Sequence, residues 1–279
     1  MAFGSETLDL PEGTFVILRD LIREQIGVHF EKDRRAVLAD KLSQRVLERG
    51  FTTFLDYYYL LKYGPEAESE WPFIADALSV PETYFWREMD QIRALVQVLV
   101  PQYAATNPGM PIHIWSAACA SGEEPLTIAM ALAEAGWFER APIRIHASDA
   151  SQTALARARA GRYKQRSFRN LPPALQEKYF TPMAEGWQIA AGIHSRIDWA
   201  HVNLMAPDQI SSYVGSPFIF CRNVFIYFSS HTISRTVQRF ADGMPRPAYL
   251  FTGASESLVR VSTEFELREV DGAFVYALQ

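Results

Sequence analysis

The residues best suited to ligand chemistry lie directly after short apolar segments of this chain. The apolar run 112–117 is followed by the small residues ACASG of 118–122, and then by Glu123 and Glu124. Small residues let a backbone approach a ligand closely, and a helix N-terminus beyond them favours bound negative charge. This loop is not GxGxxG, and two acids would repel a pyrophosphate. They suit a ligand with a cationic amine or sulfonium, or they only complement the dipole of a helix that begins here.

Three further apolar runs also end in polar side chains. Asp149 follows the run 143–148, where nucleotide-binding sheets place an acid that binds ribose hydroxyls, although Asp149 or Ser151 equally suits the N-cap of a helix over 151–160. Asn203-Leu204 follows the third run, and Arg222-Asn223 closes the fourth. Each of these residues alone could contact a ligand or cap a turn. Together, at the carboxyl ends of parallel strands, they predict one ligand site.

The spacing of apolar residues divides the chain near residue 80. Before it, apolar residues recur every three or four positions, which predicts helices over 14–25, 34–49 and 53–63. After it, short runs rich in Ile, Val, Phe and Trp alternate with helical segments, which predicts a parallel sheet covered on both faces. The predicted strands are 112–117, 143–148, 197–202, 217–222 and 248–253, and the predicted helices are 123–135, 151–160 and 229–241.

Two features complete the predicted fold. Residues 264–270 and 273–278 flank Asp271-Gly272, a strong signal for an antiparallel hairpin. Residues 161–195 are too long for a simple connection and predict an inserted subdomain. We therefore expect an α/β fold, with a helical domain over 1–80 and a Rossmann-like doubly wound sheet over 81–279 that ends in an antiparallel hairpin.

Composition excludes several classes of function. The 279 residues carry a net charge of −5, whereas proteins that bind nucleic acids are usually basic. Cys119 and Cys221 are far apart, and the six histidines lack ligand spacing, so we expect neither a disulfide framework nor a metal site. No signal peptide or membrane-spanning run is recognisable in the sequence, so we expect a cytoplasmic protein that does not insert into a membrane.

Several motifs, taken in order, resemble one known family. They are ETYFWRE (82–88), IWSAACASGEEP (114–125), ASD (147–149), Asn203-Leu204 and FCRNVFIYF (220–228), followed by GASES (253–257). The chain resembles the chemotaxis-receptor methyltransferases of the CheR type over nearly its whole length. It departs from the family at Ala254, where the family has His, and at Pro81, where the family commonly has Asn and where a hydrogen bond to the cofactor is therefore in doubt.

The resemblance implies an activity and a set of site residues. The family transfers the methyl group of S-adenosylmethionine to glutamates of chemoreceptor cytoplasmic domains, leaving S-adenosylhomocysteine and glutamyl methyl esters. It uses a class I methyltransferase sheet preceded by a small helical domain, with a small antiparallel subdomain inserted. The implied cofactor-binding residues are Thr83, Arg87, Glu124, Asp149, Asn203, Leu204, Arg222 and Asn223.

The residue chemistry is compatible with that activity. A sulfonium methyl is electrophilic and a glutamate is ionised at pH 7, so no general base is needed. Arg87 would orient the accepting carboxylate, and Tyr227 would donate a hydrogen bond to it; the alternative for Tyr227 is a half-buried packing residue. We expect these two residues to act in catalysis.

Two surfaces bear on how a receptor would be bound. Arg34, Lys41, Arg45 and Arg49 fall within about 80° of one helix face, which the resemblance assigns to receptor contact and which is otherwise an ordinary solvated face. In residues 161–195, the hairpin around Gly186 is shorter than in family members that bind a receptor's C-terminal pentapeptide, and Pro182 removes a backbone donor. We therefore expect receptor recognition that is independent of the pentapeptide.

Two other functions remain open from the sequence. One is a class I methyltransferase that acts on RNA or a small molecule; the acidic net charge and the lack of an NPPY-type motif after the fourth strand argue against nucleic-acid substrates. The other is a non-catalytic adaptor that binds receptors or a second messenger. The presence of Arg87, Glu124, Asp149 and Tyr227 argues against it.

Overall fold

The structure, a computed structural model, describes residues 7–80 and 82–279. Its first part is helical, with α1 (Glu12–Ile26), α2 (Arg35–Glu48), α3 (Phe54–Tyr63) and α4 (Ala67–Leu78). The first three lie within two residues of the predicted helices. Sequence spacing alone missed α4, since Pro72 lies inside it and proline normally interrupts a helical pattern.

One apolar core joins these four helices. Leu18 and Ile22 of α1, Leu38 and Leu42 of α2, and Ile74 of α4 are completely buried. The spacing of three or four residues between these positions places them on the inward faces of their helices.

A continuous helical segment leads into the sheet. It consists of α5 (Met89–Ala94), a π-helical stretch (Leu95–Leu99) and α6 (Val100–Thr106). Ile92, Leu95 and Val100 join the core beneath the sheet. The sequence did not predict this segment, which packs one face of the sheet and orients the residues that precede it.

The rest of the chain contains the predicted strands and helices, with boundaries close to those expected, together with several short elements that the sequence did not predict. In chain order they are β1 (Ile112–Ala117), α7 (Glu123–Glu134), α8 (Trp137–Arg140), β2 (Ile143–Asp149), α9 (Gln152–Ala160), β3 (Arg162–Tyr163), α10 (Pro173–Tyr179), β4 (Phe180–Met183), β5 (Gly186–Ile189), α11 (Ala191–His194), β6 (Ile197–His201), α12 (Pro207–Ile210), β7 (Phe218–Phe220), α13 (Ser230–Gly243), β8 (Ala248–Phe251), β9 (Glu266–Val270) and β10 (Ala273–Leu278).

Seven of the strands form one sheet in the order β6-β2-β1-β7-β8-β10-β9. The first five are parallel, and β10 is antiparallel to both β8 and β9. This confirms the doubly wound sheet with an antiparallel C-terminal hairpin. Strand order reverses between β1 and β7, so the carboxyl ends of these two strands form the crevice where such sheets bind ligands.

The insertion forms the small antiparallel subdomain that was expected. Its three strands lie in the order β3-β5-β4, and Pro182 of the edge strand β4 pairs with Trp187. Met183 pairs with Gly186, so only two residues make the turn between β4 and β5.

Hydrogen bonds and a β-bridge attach the helical part to the sheet. Asp76 of α4 accepts hydrogen bonds from the Ser151 hydroxyl and, at 2.7 Å, from the Thr153 hydroxyl, at the N-terminus of α9. After α1, Val28 forms an isolated β-bridge with Phe228, and Gly27 has φ +83°. A Cβ at Gly27 would lie 2.7 Å from the Phe228 ring, so glycine permits this close approach.

Within residues 7–80 and 82–279, no helix has the length and apolar character needed to cross a bilayer. The same residues contain no group of three or more side chains able to hold a metal ion.

Candidate active site

A deep cleft lies at the carboxyl ends of β1 and β7, between the helical part and the sheet. Most of the predicted site residues line it, as do apolar residues of the helical part such as Ile26, Val28 and Leu78. The predicted residues in its wall are Thr83, Arg87, Glu124, Asp149, Leu204, Arg222, Asn223 and Tyr227. The fold therefore brings together side chains that are up to 144 positions apart in the sequence.

The loop after β1 forms one wall of the cleft in a strained conformation. Ala118 and Ala120 have φ values of 60° and 49°, in the left-handed region that residues with a Cβ rarely adopt. Asp149 at the end of β2 stabilises this loop, because its Oδ2 accepts the N–H of Ala120 at 2.8 Å. Its Oδ1 accepts the N–H of Ser151 at 2.8 Å. Asp149 therefore acts locally as a loop anchor while its carboxylate borders the cleft.

The two acids at the start of α7 have different surroundings. Glu123 is 2% exposed and accepts hydrogen bonds from the Ser121 and Ser167 hydroxyls, so it lies against the insertion. Glu124 borders the cleft and accepts a hydrogen bond from the Ser116 hydroxyl at 2.6 Å. Of the two acids, only Glu124 is placed to meet a ligand in the cleft.

Burial raises the pKa of the two cleft acids. For Asp149, desolvation outweighs the opposing hydrogen bonds from the Ser151 and Ala120 N–H groups. For Glu124, desolvation outweighs the charge of Arg222 and the hydrogen bond from Ser116. Both carboxylates would therefore gain from a positively charged or hydroxyl-bearing ligand that replaces the water they have lost.

Arg222 links the acids of the cleft. Its side chain is 2% exposed and lies 3.1 Å from Glu88 Oε2 and 3.4 Å from Glu124 Oε2. It also donates to the carbonyl oxygen of Arg87 at 3.0 Å. Glu88 was not among the predicted site residues, although it ends the ETYFWRE motif, and its φ of 49° is again left-handed.

The loop after β7 depends on a second residue that the prediction missed. Glu256 is 7% exposed, and its Oε2 accepts the N–H groups of Asn223 and Gly253, each at 2.7 Å. Asn223 has φ 59°. Glu256 is the acid of the GASES motif, so the sequence contained it among the family motifs. The sequence did not indicate that its carboxylate would accept hydrogen bonds from the backbone of Asn223 and Gly253.

Arg87 and Tyr227 face the same cleft from two different loops. The Arg87 guanidinium donates to the carbonyl oxygen of Glu82 at 3.0 Å and lies 5.5 Å from the centre of the Tyr84 ring. Burial, followed by the charge of Glu82, raises the pKa of Tyr227, so its hydroxyl stays protonated at neutral pH and can donate a hydrogen bond.

Strained backbone is concentrated around this cleft. Six non-glycine residues in the described ranges have positive φ, and five of them lie in its loops: Trp86, Glu88, Ala118, Ala120 and Asn223. Such conformations cost about 1–3 kcal/mol each and persist where surrounding contacts impose them, often at functional sites.

One predicted site residue, Asn203, does not line the cleft as the sequence suggested. Its side-chain amide donates to the carbonyl oxygen of Gln25 at 2.7 Å, across the junction with α1. Its neighbour Leu204 does line the cleft. Pro81, where a lost cofactor contact was expected, lies outside the described residues.

The basic face of α2 is less open than the sequence suggested. Arg45 donates two hydrogen bonds, at 2.6 and 2.7 Å, to the buried carboxylate of Glu70, and Arg49 pairs with Glu66 and lies 3.5 Å from Glu70. Lys41 donates to the carbonyl oxygen of Ala77 at 3.4 Å. Arg34 precedes α2 and is exposed. The packing of α4, which the sequence did not predict, therefore uses Arg45 and Arg49 inside the domain.

The hydrogen-bonding and charged groups around the cleft fit S-adenosylmethionine. Asp149 suits ribose hydroxyls, Glu124 suits a cationic amine, and Arg87 suits a carboxylate. The Nε of Arg222 is buried without a hydrogen-bond partner among the described residues, while another nitrogen of the same guanidinium lies 3.1 Å from Glu88 Oε2. Such polar groups are expected where a polar ligand completes the network.

Comparison with known proteins agrees with this geometry. The family model described as "CheR methyltransferase, SAM binding domain" matches residues 81–274, and the one described as "CheR methyltransferase, all-alpha domain" matches residues 14–79. Chemotaxis protein methyltransferase 2 of Vibrio cholerae is 33% identical over 91% of this chain and 88% of its own length. The chemotaxis protein methyltransferase of Escherichia coli is 31% identical over 98% of this chain and 93% of its own length. The chain belongs to the CheR methyltransferase family.

Proposed function

We propose that this protein methylates glutamate side chains of chemoreceptors, using S-adenosylmethionine and producing glutamyl methyl esters. Family membership and the names of the two relatives support a chemotaxis methyltransferase. The observation that carries the choice of a carboxylate acceptor is that Arg87 and the protonated hydroxyl of Tyr227 both lie in the wall of one cleft. A cation and a neutral donor together suit a carboxylate that must be bound without being protonated.

The cofactor would be held by the residues whose chemistry matches its parts. We assign the ribose to Asp149, the amino group to Glu124 and the carboxylate to Arg87, with Thr83, Leu204, Arg222 and Asn223 completing the wall. Asn203 supports the cleft from outside, through Gln25. When bound, the cofactor supplies an electrophilic methyl group on a sulfonium.

The protein's own residues would orient the acceptor and exclude water. Besides binding the cofactor's carboxylate, Arg87 would direct the carboxylate of the acceptor glutamate by its charge. The Tyr227 hydroxyl would donate a hydrogen bond to one oxygen of that glutamate. Apolar residues Ile26, Val28 and Leu78 would remove water from the attacking oxygen, which increases its reactivity. An ionised carboxylate needs no base, and among the described residues no histidine lines the cleft.

Buried thiols are unsuited to an alternative chemistry in this cleft. Burial raises the pKa of both Cys119 and Cys221 well above the usual range, so both remain neutral thiols at physiological pH. A neutral buried thiol is a poor nucleophile. The transfer is therefore proposed as direct, from cofactor to carboxylate.

We also propose that receptor recognition does not require a C-terminal pentapeptide. A peptide added to β4 would pair along an edge that contains Pro182, which has no N–H to donate. The two-residue turn between β4 and β5 leaves no extended loop to wrap such a peptide. Titration with a Trp- and Phe-containing receptor pentapeptide should show no binding, and micromolar affinity would refute this part of the proposal.

The activity itself can be tested with receptor-containing membranes. Incubation with S-adenosylmethionine labelled in its methyl group should transfer label to the receptor, and mild base should release it as methanol because glutamyl esters hydrolyse readily. Receptors whose methylation-site glutamates are changed to alanine provide the matched control. Base-stable label, or label that survives in the alanine receptors, would contradict glutamate esterification.

A further inference from the structure

The insertion carries an exposed run of positive charge beside the cleft. Its first strand and the segment after it contain Arg162, Lys164, Arg166 and Arg169, which we call the basic strip. No acidic residue interrupts residues 162–169, although the whole chain has a net charge of −5. All four residues are exposed. Of the four, only Arg169 forms an ion pair with a described residue, with Glu82 at 3.3 Å.

The residues between the basic ones fix the strip to the loops of the cleft. Tyr163 Oη donates to the carbonyl oxygen of Ser121 at 2.9 Å, and Ser167 Oγ donates to Glu123 at 3.0 Å. The N–H of Phe85 donates to the carbonyl oxygen of Ser167 at 2.8 Å. Inward residues thus bind both the loop after β1 and the motif that contains Arg87. The cations are held in a preorganised position, which reduces the entropy lost when a partner binds.

Arg169 connects the strip to the proposed acceptor site. Its guanidinium carbon lies 3.6 Å from the centre of the Tyr84 ring, and the guanidinium carbon of Arg87 lies 5.5 Å from the same centre. Tyr84 itself lines the cleft. The strip therefore continues from the arginine that would orient the methyl acceptor onto the surface of the insertion.

We propose that the basic strip docks acidic side chains that flank the methyl-accepting glutamate on the receptor. This proposal rests on the proposed function and adds a second contact surface to it. Charge complementarity identifies the occupant: carboxylates that flank an acceptor glutamate would come close to the cleft, where the unpaired cations of the strip would meet them. Arg45 and Arg49 are already paired with Glu70 of α4 and with Glu66 just before it. In the strip, by contrast, Arg162, Lys164 and Arg166 form no ion pair with the described residues, so they are the cations available to a partner.

The test is a charge reversal that leaves the cleft intact. Arg162→Glu, Lys164→Glu and Arg166→Glu are combined in one variant, and methyl transfer is measured against a receptor cytoplasmic fragment. We expect the KM for the fragment to rise by about tenfold or more, equivalent to about 1.4 kcal/mol. The turnover at saturating fragment and the affinity for S-adenosylhomocysteine should remain within about twofold of wild type, because changes in peripheral charge act mainly on encounter.

A matched control places the same charge change elsewhere. Arg140, Arg144 and Arg196 are exposed residues near the amino ends of β2 and β6, at the opposite end of the sheet from the cleft. The triple change of these residues to Glu should leave the fragment KM near wild type. If the test variant fails to fold in a thermal melt, the corresponding change to three glutamines gives the same measurement, with a smaller expected increase.

The outcomes separate the two proposals. If wild-type protein does not esterify the fragment, the proposed function fails and the docking surface fails with it. If wild type is active and the test variant has a normal KM, or if the control variant raises KM equally, only the docking surface is refuted. A reduced dependence of KM on salt in the test variant would support the electrostatic contact, since salt screens exposed charges.

Discussion

The Glu256 carboxylate holds Asn223 in the cleft wall by accepting a hydrogen bond from the backbone N–H of Asn223. The carboxylate accepts the Asn223 N–H at 2.7 Å, although the two residues lie on loops that follow different strands, β7 and β8. The same oxygen accepts the Gly253 N–H, and a Cβ at Gly253 would lie 2.6 Å from the Asn223 amide nitrogen. The left-handed backbone of Asn223 is thus stabilised by a buried anion and permitted by an adjacent glycine.

Changing Glu256 to alanine should weaken both the fold and the cofactor site. Removing this acceptor leaves buried N–H groups unpaired, which costs about 2–5 kcal/mol in the free energy of unfolding. Affinity for S-adenosylhomocysteine should also fall, because Asn223 would leave its strained conformation. Urea unfolding and calorimetry measure the two effects. Ser255→Ala, at an exposed neighbouring residue, is the control. If Glu256→Ala has the wild-type unfolding free energy and affinity, the loop does not depend on this carboxylate.

The sequence predicted the sheet because each of its strands is a local apolar run with punctuated ends. It also predicted that Asp149, Glu124 and Arg222 would lie together, since strand ends meet at one edge of a parallel sheet, and all three line the cleft. It missed the roles of Glu88 and Glu256, whose partners are set by left-handed loop conformations that no local pattern encodes. It also placed Asn203 in the cleft, whereas the packing of α1 turns that side chain toward Gln25.

Arg45 should contribute to stability as well as to surface charge. Burial alone would raise the pKa of Glu70, but hydrogen bonds from Arg45 and Tyr57 outweigh it, and the pKa lies below the ordinary value. Arg45→Ala would leave this carboxylate buried with one partner fewer, and we expect a loss of about 3 kcal/mol in unfolding free energy. Arg34→Ala, at an exposed residue, should cost less than about 0.5 kcal/mol.

Because Arg45 contributes to stability and Arg34 does not, the basic face of α2 is best tested for receptor contact at residues other than Arg45. Reversal of Arg34 and Lys41 should alter the receptor KM without lowering the melting temperature, whereas any variant at Arg45 combines both effects. Equal melting temperatures for Arg45→Ala and Arg34→Ala would contradict the structural role of Arg45.

Asp149→Ala should lower the affinity for S-adenosylhomocysteine by about ten- to a hundredfold, equivalent to the loss of a charge-assisted hydrogen bond of about 1.5–3 kcal/mol. Because Asp149 also anchors Ala120, the variant should be checked by thermal melting. Asp149→Asn keeps an acceptor for one backbone N–H and is the more conservative comparison. Calorimetry that finds wild-type affinity in both variants would reject the assigned ribose site.

On acidification, the affinity for the cofactor should fall, whereas the contribution of Glu124 and Asp149 to the stability of the cofactor-free protein should grow. The pKa values of Glu124 and Asp149 are raised in the fold, so these groups begin to protonate above the ordinary carboxyl values of 4.5 and 3.8. As pH falls through the raised values, the anions that bind the cofactor's amino group and ribose hydroxyls are lost, and affinity falls. The folded apo-protein binds these protons more readily than the unfolded chain, so their contribution to stability grows over the same window.

Calorimetry and thermal melting over a pH series measure the two trends. Glu124→Gln cannot titrate and should bind S-adenosylmethionine more weakly at neutral pH, with a smaller further loss on acidification. A wild-type affinity that stays constant down to the ordinary carboxyl range would show that neither acid meets the cofactor.

Arg87 and Tyr227 should affect turnover beyond any effect on cofactor binding. Tyr227→Phe removes a hydroxyl that remains protonated at neutral pH, and the loss of one donor to the reacting carboxylate should lower kcat by about tenfold or more, at about 1.4 kcal/mol per tenfold. Arg87→Lys keeps the charge but loses the planar donor pair, so it should recover part of the activity lost in Arg87→Ala. Turnover is measured at saturating S-adenosylmethionine, with receptor fragment varied to separate kcat from KM. At saturating cofactor a weaker cofactor affinity no longer lowers the rate, so turnover reports the role of these residues toward the acceptor. Near-normal turnover in both Arg87→Ala and Tyr227→Phe would therefore place the methyl acceptor elsewhere.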